Sequence, residues 1–238
     1  MCPPDTGFQE EISLGRAVRF DVEREGLSLM IARLTELDLG TSSSDFEKYE
    51  QNLFGEIRSR ITLDDVKDDP VFRSYRDLYW TFGMDPTKLR VSSEALLRRI
   101  VRGLNFWRIS TLVDVANLAS AYHKLPIGLI DETALVGTLV VRTAHKGEVF
   151  ERIGGKQLIC RGREIVLADD EKIICFGYAT HDSEKTKVTS KSKSILLLIY
   201  GAPVVTPDMM TSAVNLTLEM VDRWVACTVK GWTTYRSN

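Results

Sequence analysis

Two polar residues, Asp114 and Asn117, interrupt an otherwise apolar stretch between Ser110 and Asp131. Because they are three residues apart, they share a face if this stretch is helical. A carboxylate and a carboxamide on the face that should be buried can hold a polar ligand or a water molecule, so the stretch predicts one side of a binding pocket. The alternative is that both side chains cap or brace the following loop, since Asp and Asn readily bond nearby backbone groups.

The segment LPIGLID, residues 125–131, follows this helix and is predicted to be a loop. Pro126 cannot continue a helix, and Gly128 supplies a permissive backbone next to the expected pocket. We therefore expect Pro126, Gly128 and Asp131 to form one wall of the pocket. For Asp131, a helix cap is an equally good interpretation.

Apolar residues at helical spacing predict the helices that carry these groups. Asp69 and Pro70 are a favourable helix start, because Asp accepts from free N–H groups and Pro at the first position loses no needed donor. The aromatic residues that follow at three- and four-residue spacing are typical of core. Helices are expected over about 44–61, 70–82, 92–103 and 110–125, and from Pro207 to near Gly231, with the aromatic stripe at Phe72, Tyr75, Tyr79 and Phe82.

The second half of the chain changes to strand-like runs separated by glycine-containing turns. Two earlier runs, 17–22 and 27–34, are predicted to pair as a hairpin through Gly26. A stranded half packed on a helical half predicts an α+β fold of layered sheets and helices. The expected divisions are an N-terminal hairpin and helix extension (1–62), the α+β core (63–202) and a C-terminal helix completing the same domain (203–238). The later strand-like runs are 135–142, 149–153, 157–160, 164–168, 172–178 and 194–200.

Composition excludes several classes of protein. The 238 residues are 44% hydrophobic and 27% charged, and no apolar run is long enough to span a membrane. The acidic start lacks the features of a signal peptide, so we expect a cytoplasmic protein with no membrane partner. No metal and no cofactor are expected, and the thiols are expected to be free, because the cysteines and histidines lack ligand spacing. These residues are Cys2, Cys160, Cys175, Cys227, His123, His145 and His181.

The net charge of −2 conceals two basic runs. In the first, Arg98, Arg99 and Arg102 crowd one side of a predicted amphipathic helix, and the second lies within residues 185–193. If the runs converge in space they form a patch able to bind a phosphate backbone; the alternative is two solvated faces. The predicted RNA-contacting residues are Arg98, Arg99, Arg102, Lys185 and Lys187.

Five segments together resemble a known family. They are VSSEALLRRI, LVDVANLASAYHKLPIGLID, VVRTAHKGEVF, EIVLAD and ATHDSEKTKVT. Their order and spacing over about residues 70–202 resemble the editing module of the phenylalanyl-tRNA synthetase β subunit, its tandem third and fourth domains, and more closely the free-standing form of that module.

The resemblance implies an α+β fold with a pocket between its halves and hydrolysis of an amino acid wrongly esterified to tRNA. Aminoacylated tRNA is the implied partner, a free amino acid is a further candidate ligand, and no DNA partner is expected. Asn117, His181 and Asp182 are the implied catalytic residues. The implied substrate-binding residues are Asp114, Ala116, Pro126, Gly128, Asp131, Arg142, Tyr178, Ser183 and Leu198.

Two of these assignments have alternatives. Arg142 could instead hold a buried carboxylate, and His181 could be an ordinary surface-loop histidine. The chain also departs from the synthetase at three positions: Ala116 replaces a threonine, Gly128 a histidine, and Leu198 the glutamate that recognises a tyrosine hydroxyl. Tyrosine specificity is therefore not carried over.

The sequence shows no Ser-His-Asp or Cys-His arrangement with a nucleophile elbow, so covalent catalysis is disfavoured. Three hypotheses follow. The first is a stand-alone aminoacyl-tRNA deacylase that acts in trans. The second is a non-catalytic module that binds tRNA or an amino acid. The third is a small-molecule enzyme that reuses the pocket.

Overall fold

The computed structural model describes residues 12–39 and 44–237. No helix within these residues is long and apolar enough to cross a membrane. The helices are α1 (Ser44–Arg60), α2 (Leu63–Asp68), α3 (Pro70–Thr81), α4 (Ser92–Val101), α5 (Thr111–His123) and α6 (Pro207–Trp224). The strands are β1 (Val18–Asp21), β2 (Ser28–Asp38), β3 (Ile127–Asp131), β4 (Leu139–Thr143), β5 (Val149–Glu151), β6 (Gln157–Ile159), β7 (Ile165–Ala168), β8 (Ile173–Phe176), β9 (His181–Asp182), β10 (Ser194–Gly201) and β11 (Ala226–Arg236).

One sheet has four antiparallel strands in the order β11-β2-β10-β3. Strand β10 lies between β2 and β3, and its residues after Ser194 are all buried. Its unbroken apolar run is typical of a strand that is covered on both faces. Helix α5 packs on β3, and α6 packs on β10 and β11. This sheet therefore supports α5, the helix that carries Asp114 and Asn117.

A second sheet has five strands in the order β1-β4-β7-β8-β9. Strands β1 and β4 are parallel, and the other neighbours are antiparallel. Strands β5 and β6 form a separate two-stranded ribbon. Buried side chains from both larger sheets and from the helices belong to one hydrophobic core. The predicted α+β fold of layered sheets and helices is therefore confirmed.

The predicted start of α3 is confirmed, and the aromatic stripe is buried as far as Tyr79, whereas Phe82 follows the helix and is only partly buried. The Asp69 carboxylate accepts a hydrogen bond from Val71 N at 2.9 Å, with Pro70 at the first helical position. Phe72 and Tyr75 are fully buried. The Tyr75 hydroxyl also donates to the Tyr200 carbonyl at 2.5 Å, which ties α3 to β10.

The predicted N-terminal hairpin is wrong. Strand β1 pairs with β4 in the five-stranded sheet, whereas β2 lies between β11 and β10 in the four-stranded sheet. Gly26, with a φ of 80°, lies in the turn between them. Local alternation identified both strands, but their partners lie far away in the sequence and are selected by packing.

Two further boundaries differ from expectation. Residues 127–131 form strand β3 rather than a loop, because this edge strand of the sheet tolerates Pro126 before it and Gly128 within it. Helix α6 ends at Trp224, and the chain continues into β11 rather than remaining helical to Gly231. Helix α2 was not predicted; it begins with a reciprocal capping box formed by Thr62 and Asp65.

Candidate functional site

A cavity of about 350 Å³ lies between α5, β3 and the segment that follows β9. Most of its wall is apolar, and the polar groups that reach it belong to Asn117, Asp182 and Lys187. An apolar chamber with a few polar groups is the usual form of a small-ligand site. The apolar lining consists of Ile109, Val113, Ala116, Ile127, Leu129, Ile153 and Val188.

Helix α5 presents one face to the cavity. Its start is fixed by Ser110, whose hydroxyl accepts from Val113 N at 3.4 Å. Val113, Ala116 and Asn117 line the cavity, and their spacing of three and four residues places them on one side of the helix. The structure therefore brings Ala116 and Asn117 to the site, with Asn117 as the polar group on this face.

Asp114 has a different environment. Its side chain is fully buried; Oδ1 accepts from Ile109 N at 3.4 Å, and Oδ2 lies 3.6 Å from Arg108 Nη1. The same guanidinium binds Glu50, with distances of 3.0 Å to Oε1 and 2.5 Å to Oε2. Asp114 thus braces a loop, as in the alternative interpretation, but it is the loop that precedes α5 rather than the one that follows.

Strand β3 forms part of the cavity wall. Ile127 and Leu129 line the cavity, and Gly128 lies between them on the strand. A Cβ atom on Gly128 would lie 3.3 Å from Asp182 Oδ1 and 3.5 Å from the Tyr200 hydroxyl. The missing side chain therefore allows β3 to approach these two polar groups closely.

Asp182 is the titratable group at this site. Burial raises its pKa to about 6, and a hydrogen bond with Cys175 acts in the opposite direction. Burial also raises the pKa of the Cys175 thiol well above its usual value, and the charge of Asp182 raises it further. The pKa of Tyr200 is raised by burial, then by Cys175 and Asp182. Cys175 and Tyr200 thus stay protonated at neutral pH, while Asp182 titrates close to it.

His181 and Ser183 flank Asp182 but are not among the described residues that line the cavity. Neighbouring residues of a strand point to opposite faces, so His181 points away from the side of β9 that carries Asp182. Burial lowers the pKa of His181, and the charge of Arg152 lowers it further. Ser183 is buried, and its hydroxyl accepts from Lys185 N at 3.2 Å at the start of a short 3-10 helix.

Three further residues of the implied site lie behind the cavity wall. Tyr178 is fully buried, and its hydroxyl donates to the Ser28 carbonyl at 2.7 Å. Leu198 is fully buried on β10 in register with Gly128. The Pro126 carbonyl accepts from the backbone N–H of Tyr200 at 3.1 Å. The Tyr178 contact holds β2, the other two hold β3 against β10, and none of the three residues is among the described residues that line the cavity.

Asp131 makes the contacts of its alternative interpretation, and Arg142 binds a carboxylate that is only partly buried. Asp131 Oδ1 accepts from Thr133 N at 2.9 Å, and Oδ2 accepts from the Ser192 hydroxyl at 2.5 Å, so Asp131 caps a 3-10 turn. Arg142 donates to both carboxylate oxygens of Glu148, at 2.9 and 2.7 Å. Neither side chain reaches the cavity lining.

The basic helix α4 is partly neutralised. Glu94 is 2% exposed and accepts from Arg98 at 2.8 Å and from Arg76 at 3.0 Å, with Arg90 3.4 Å away. Arg98 is therefore held in a partly buried ion-pair cluster. A buried carboxylate needs such compensation, which explains why arginines crowd this side of the helix.

The other predicted RNA contacts are more accessible. The Arg99 guanidinium lies over the Trp107 ring, with its central carbon 4.0 Å from the ring centroid. Arg102 and Lys185 are exposed, and Lys187 lines the cavity itself. The second basic run thus reaches the cavity directly. No residue of the first basic run is among the described residues that line the cavity, and Arg98 lines a different surface together with Arg76 and Arg90.

Several residues that line the cavity were not predicted from the sequence. Val113 could have been found, because it precedes Ala116 by three residues and Asn117 by four on the same helical face. Ile109, Ile153 and Val188 carry no such signal, since each comes from a separate connection that only the tertiary structure brings to the cavity.

No group of three potential metal ligands that could hold an ion occurs within residues 12–39 and 44–237. Cys160, Cys175 and Cys227 carry free thiols, and Cys2 lies outside the described residues. The polar side chains that line the cavity carry a carboxyl group, a carboxamide and an ammonium group.

The chain thus has layered sheets and helices, with a cavity between α5 and β3. The B3/4 domain family matches residues 74–223. This match extends over more than half of the chain, and the chain belongs to the B3/4 domain family.

Particular relatives carry the name phenylalanine–tRNA ligase β subunit. The protein from Fusobacterium nucleatum is 27% identical over 110 residues, which are 46% of this chain and 14% of that protein. The protein from Protochlamydia amoebophila is 31% identical over 90 residues, and that from Tropheryma whipplei is 32% identical over 89 residues. Each of these two alignments covers 37% of this chain, and 11% and 9% of the respective relative. The similarity therefore spans a small part of each relative.

The fold is similar to that of a crystallised N-terminal fragment of the phenylalanyl-tRNA synthetase β subunit from Pyrococcus horikoshii. The TM-score is 0.50 at 12% identity, and the alignment covers 97% of this chain and 56% of the fragment. At this identity the likeness concerns the fold alone.

Proposed function

We propose that this chain is a B3/4 editing-like protein that hydrolyses the ester of a mischarged aminoacyl-tRNA in trans, in the cytoplasm and without a metal or cofactor. The observation that carries the proposal is the cavity, which joins an apolar chamber to a carboxyl group whose pKa is raised to about 6. The names of the relatives supply tRNA as the partner class.

The apolar chamber receives the amino-acid side chain. Its walls are aliphatic, with Val113 and Ala116 on one side and Ile127 and Leu129 on the other. A volume of about 350 Å³ is at the lower end of the range for small-ligand pockets. These walls offer apolar contacts rather than a group that would recognise a phenol, so the chamber favours an aliphatic side chain over tyrosine.

Asp182 and Asn117 supply the polar groups for hydrolysis. The Asp182 carboxylate takes a proton from water as the water oxygen attacks the ester carbonyl carbon, and it returns a proton to the ribose oxygen as the ester C–O bond breaks. The products are a free amino acid and an intact tRNA. The Asn117 carboxamide donates to the oxygen on which negative charge develops. A base whose pKa lies near the working pH and a fixed donor at the oxyanion are the usual requirements for this reaction.

Basic side chains provide the attraction for RNA. Lys187 lines the cavity, Lys185 is exposed nearby in the sequence, and Arg99 and Arg102 belong to the other basic run. Lys187 also pairs with Glu184, which reduces its net attraction for phosphate. The chain as a whole carries a net charge of −2. We expect tRNA binding to be transient and to weaken as the salt concentration rises.

A binding module without hydrolysis is the second candidate. Among the described residues that line the cavity, none carries a hydroxyl, thiol or imidazole group. All proton transfer would then depend on Asp182. A cavity of this composition could hold the amino acid of an aminoacyl-tRNA, or a free amino acid, without cleaving the ester.

A deacylation assay over a panel of mischarged tRNAs tests the proposal. The panel carries aliphatic and aromatic amino acids, and release of free amino acid is measured against spontaneous hydrolysis. Faster release from the aliphatic members is expected. Binding of tRNA without release from any member selects the second candidate. Thermal stabilisation by a small molecule, together with no affinity for tRNA, would select a small-molecule enzyme instead.

A further inference from the structure

Trp107 has an unusual combination of exposure and fixed position. It is 62% exposed in the connection between α4 and α5. On one side, the buried Phe106 packs edge-on against Phe54, with ring centroids 4.9 Å apart. On the other side, Arg108 binds the buried Glu50. The indole is therefore presented to solvent by two anchored neighbours.

Arg99 fixes the ring from a third direction. Its guanidinium carbon lies 4.0 Å from the Trp107 ring centroid, and its Nε donates to the Asn105 carbonyl at 2.5 Å. A guanidinium at this distance makes a favourable cation–π contact. It brings positive charge to one face of the indole, and the exposure of Trp107 leaves surface for a second flat partner.

Trp107 is close along the chain to a residue of the cavity wall. Ile109, which lines the cavity, is 69% exposed and follows Trp107 by two residues. Two residues of chain span at most about 7 Å. If the amino acid of an aminoacyl ester occupies the cavity, the ribose that carries it lies at the mouth. The attached base then lies within reach of Trp107.

We propose that Trp107 is a stacking site for the base of the terminal nucleotide of a single-stranded RNA 3′ end. The position of the ribose rests on the proposed function; the exposure of the indole and its arginine do not. Aromatic residues beside basic groups bind single-stranded nucleic acid by stacking, with little dependence on the base. Such a site accepts the shared 3′ end of tRNAs without selecting among them.

Binding of an unacylated RNA tests this site independently of hydrolysis. The probe is a short labelled single-stranded RNA ending in CCA, and affinity for the full chain is measured by fluorescence anisotropy. Trp107→Ala is expected to weaken binding by about 5- to 100-fold, the range for loss of one base–aromatic stack. Trp107→Tyr retains a ring and is expected to restore most of the affinity.

Trp80 provides a matched control. It is 58% exposed on α3 and lines a different surface with Arg76 and Arg90. Trp80→Ala is expected to leave the affinity for the oligonucleotide unchanged. Arg102→Ala should reduce the dependence of affinity on salt, whereas Trp107→Ala should weaken binding without changing that dependence, because stacking releases no counterion.

Several outcomes overturn the stacking site. They are absence of binding by the unmodified chain, equal affinity of Trp107→Ala and the unmodified chain, an equal loss in Trp80→Ala, and no recovery in Trp107→Tyr. Unaltered circular dichroism of the variants establishes that the fold is retained. Oligonucleotide binding through Trp107 without deacylation supports this site and contradicts only the proposed hydrolysis. Deacylation that is insensitive to Trp107 contradicts only the stacking site.

Discussion

Asp114 and Asp182 show how two carboxyl groups near one cavity acquire different roles. Asp114 is fully buried and lies beside Arg108, which also neutralises Glu50. Asp182 lies against Cys175 and makes no ion pair within the described part of the chain, and burial raises its pKa to about 6. Asp114 therefore has a guanidinium beside it, whereas Asp182 lies against a thiol, and burial of a carboxyl group without a charged partner raises its pKa.

Asp114 contributes to the stability of the fold, whereas Asp182 is the candidate for chemistry at the cavity. The Glu50–Arg108–Asp114 cluster holds the connection before α5 and thereby the loop that carries Trp107 and Ile109. Asp182 instead lies at the cavity, where a charged carboxylate is unfavourable for folding. Strongly perturbed pKa values at a cavity are a common feature of functional sites.

Replacing Asp182 should have the largest effect. Asp182→Asn keeps the shape but cannot accept the proton of water, so the deacylation rate is expected to fall by about 10³-fold, within the range for loss of general-base catalysis. Deacylation of the preferred mischarged tRNA is the measurement. Asp64→Asn, an exposed change on α2, is the control. An Asp182→Asn variant with unchanged activity contradicts the assignment of the base.

Asn117 and His181 give the second test. Asn117→Ala removes the proposed donor to the oxyanion and is expected to lower the deacylation rate by about 10²-fold. His181→Ala is expected to change it little, because His181 points away from the cavity side of β9. Single-turnover rates of both variants are compared at matched folding stability. If His181→Ala is as damaging as Asn117→Ala, the imidazole belongs to the catalytic residues.

Arg108 tests the structural side of the comparison. Arg108→Ala leaves the fully buried Glu50 without its partner, and an unpaired buried charge is costly. Because Arg108 is itself 35% exposed, solvent screening reduces the expected loss to about 2 kcal/mol of the free energy of unfolding. Urea unfolding provides the measurement. Lys48→Ala, which breaks an exposed pair with Asp45 at 3.8 Å, should change it by less than about 0.5 kcal/mol. Equal effects in the two variants would contradict the structural role.

The pH dependence of stability should show the smallest effect. The pKa of Asp182 is raised from 3.8 to about 6, so between these values the folded state binds more protons than the unfolded state. Folding stability is therefore lost as the pH rises from about 4 to about 6. Asp182→Asn removes this loss and should exceed the unmodified chain in stability above pH 6 by about 1 kcal/mol, a discounted value for a partly exposed group. Thermal unfolding at pH 4, 5, 6 and 7 measures the difference, and a constant difference over this range would contradict the assigned pKa.

Local sequence was sufficient for much of the fold. Asp69 and Pro70 begin α3 as expected, and Phe72 and Tyr75 are core residues because helical spacing alone places them on one face. Most strands in the second half were also found from alternation and turns. The pairing of β1 and β2 was not, because residues far apart in the chain decide which strand edges meet.

The candidate site was predictable only in part. Asn117 and Asp182, two of the predicted site residues, both line the cavity. Asp114 and Asn117 look equivalent in the sequence, but among the two only Asn117 lines the cavity. A spacing of three residues places two side chains on neighbouring positions of a helix, but it does not determine which of them meets Arg108 and which meets the cavity.

The sequence by itself determined that the stretch from Ser110 to Asp131 carries polar groups in an apolar setting, and it determined the helix that holds them, because periodicity and capping are local properties. Only the tertiary structure decided that Arg108 lies beside Asp114, that Gly128 allows Asp182 to approach β3, and that Ile109, two residues after Trp107, lines the cavity. Burial depends on neighbours from distant parts of the chain, and the sequence alone does not show which carboxyl group meets a guanidinium.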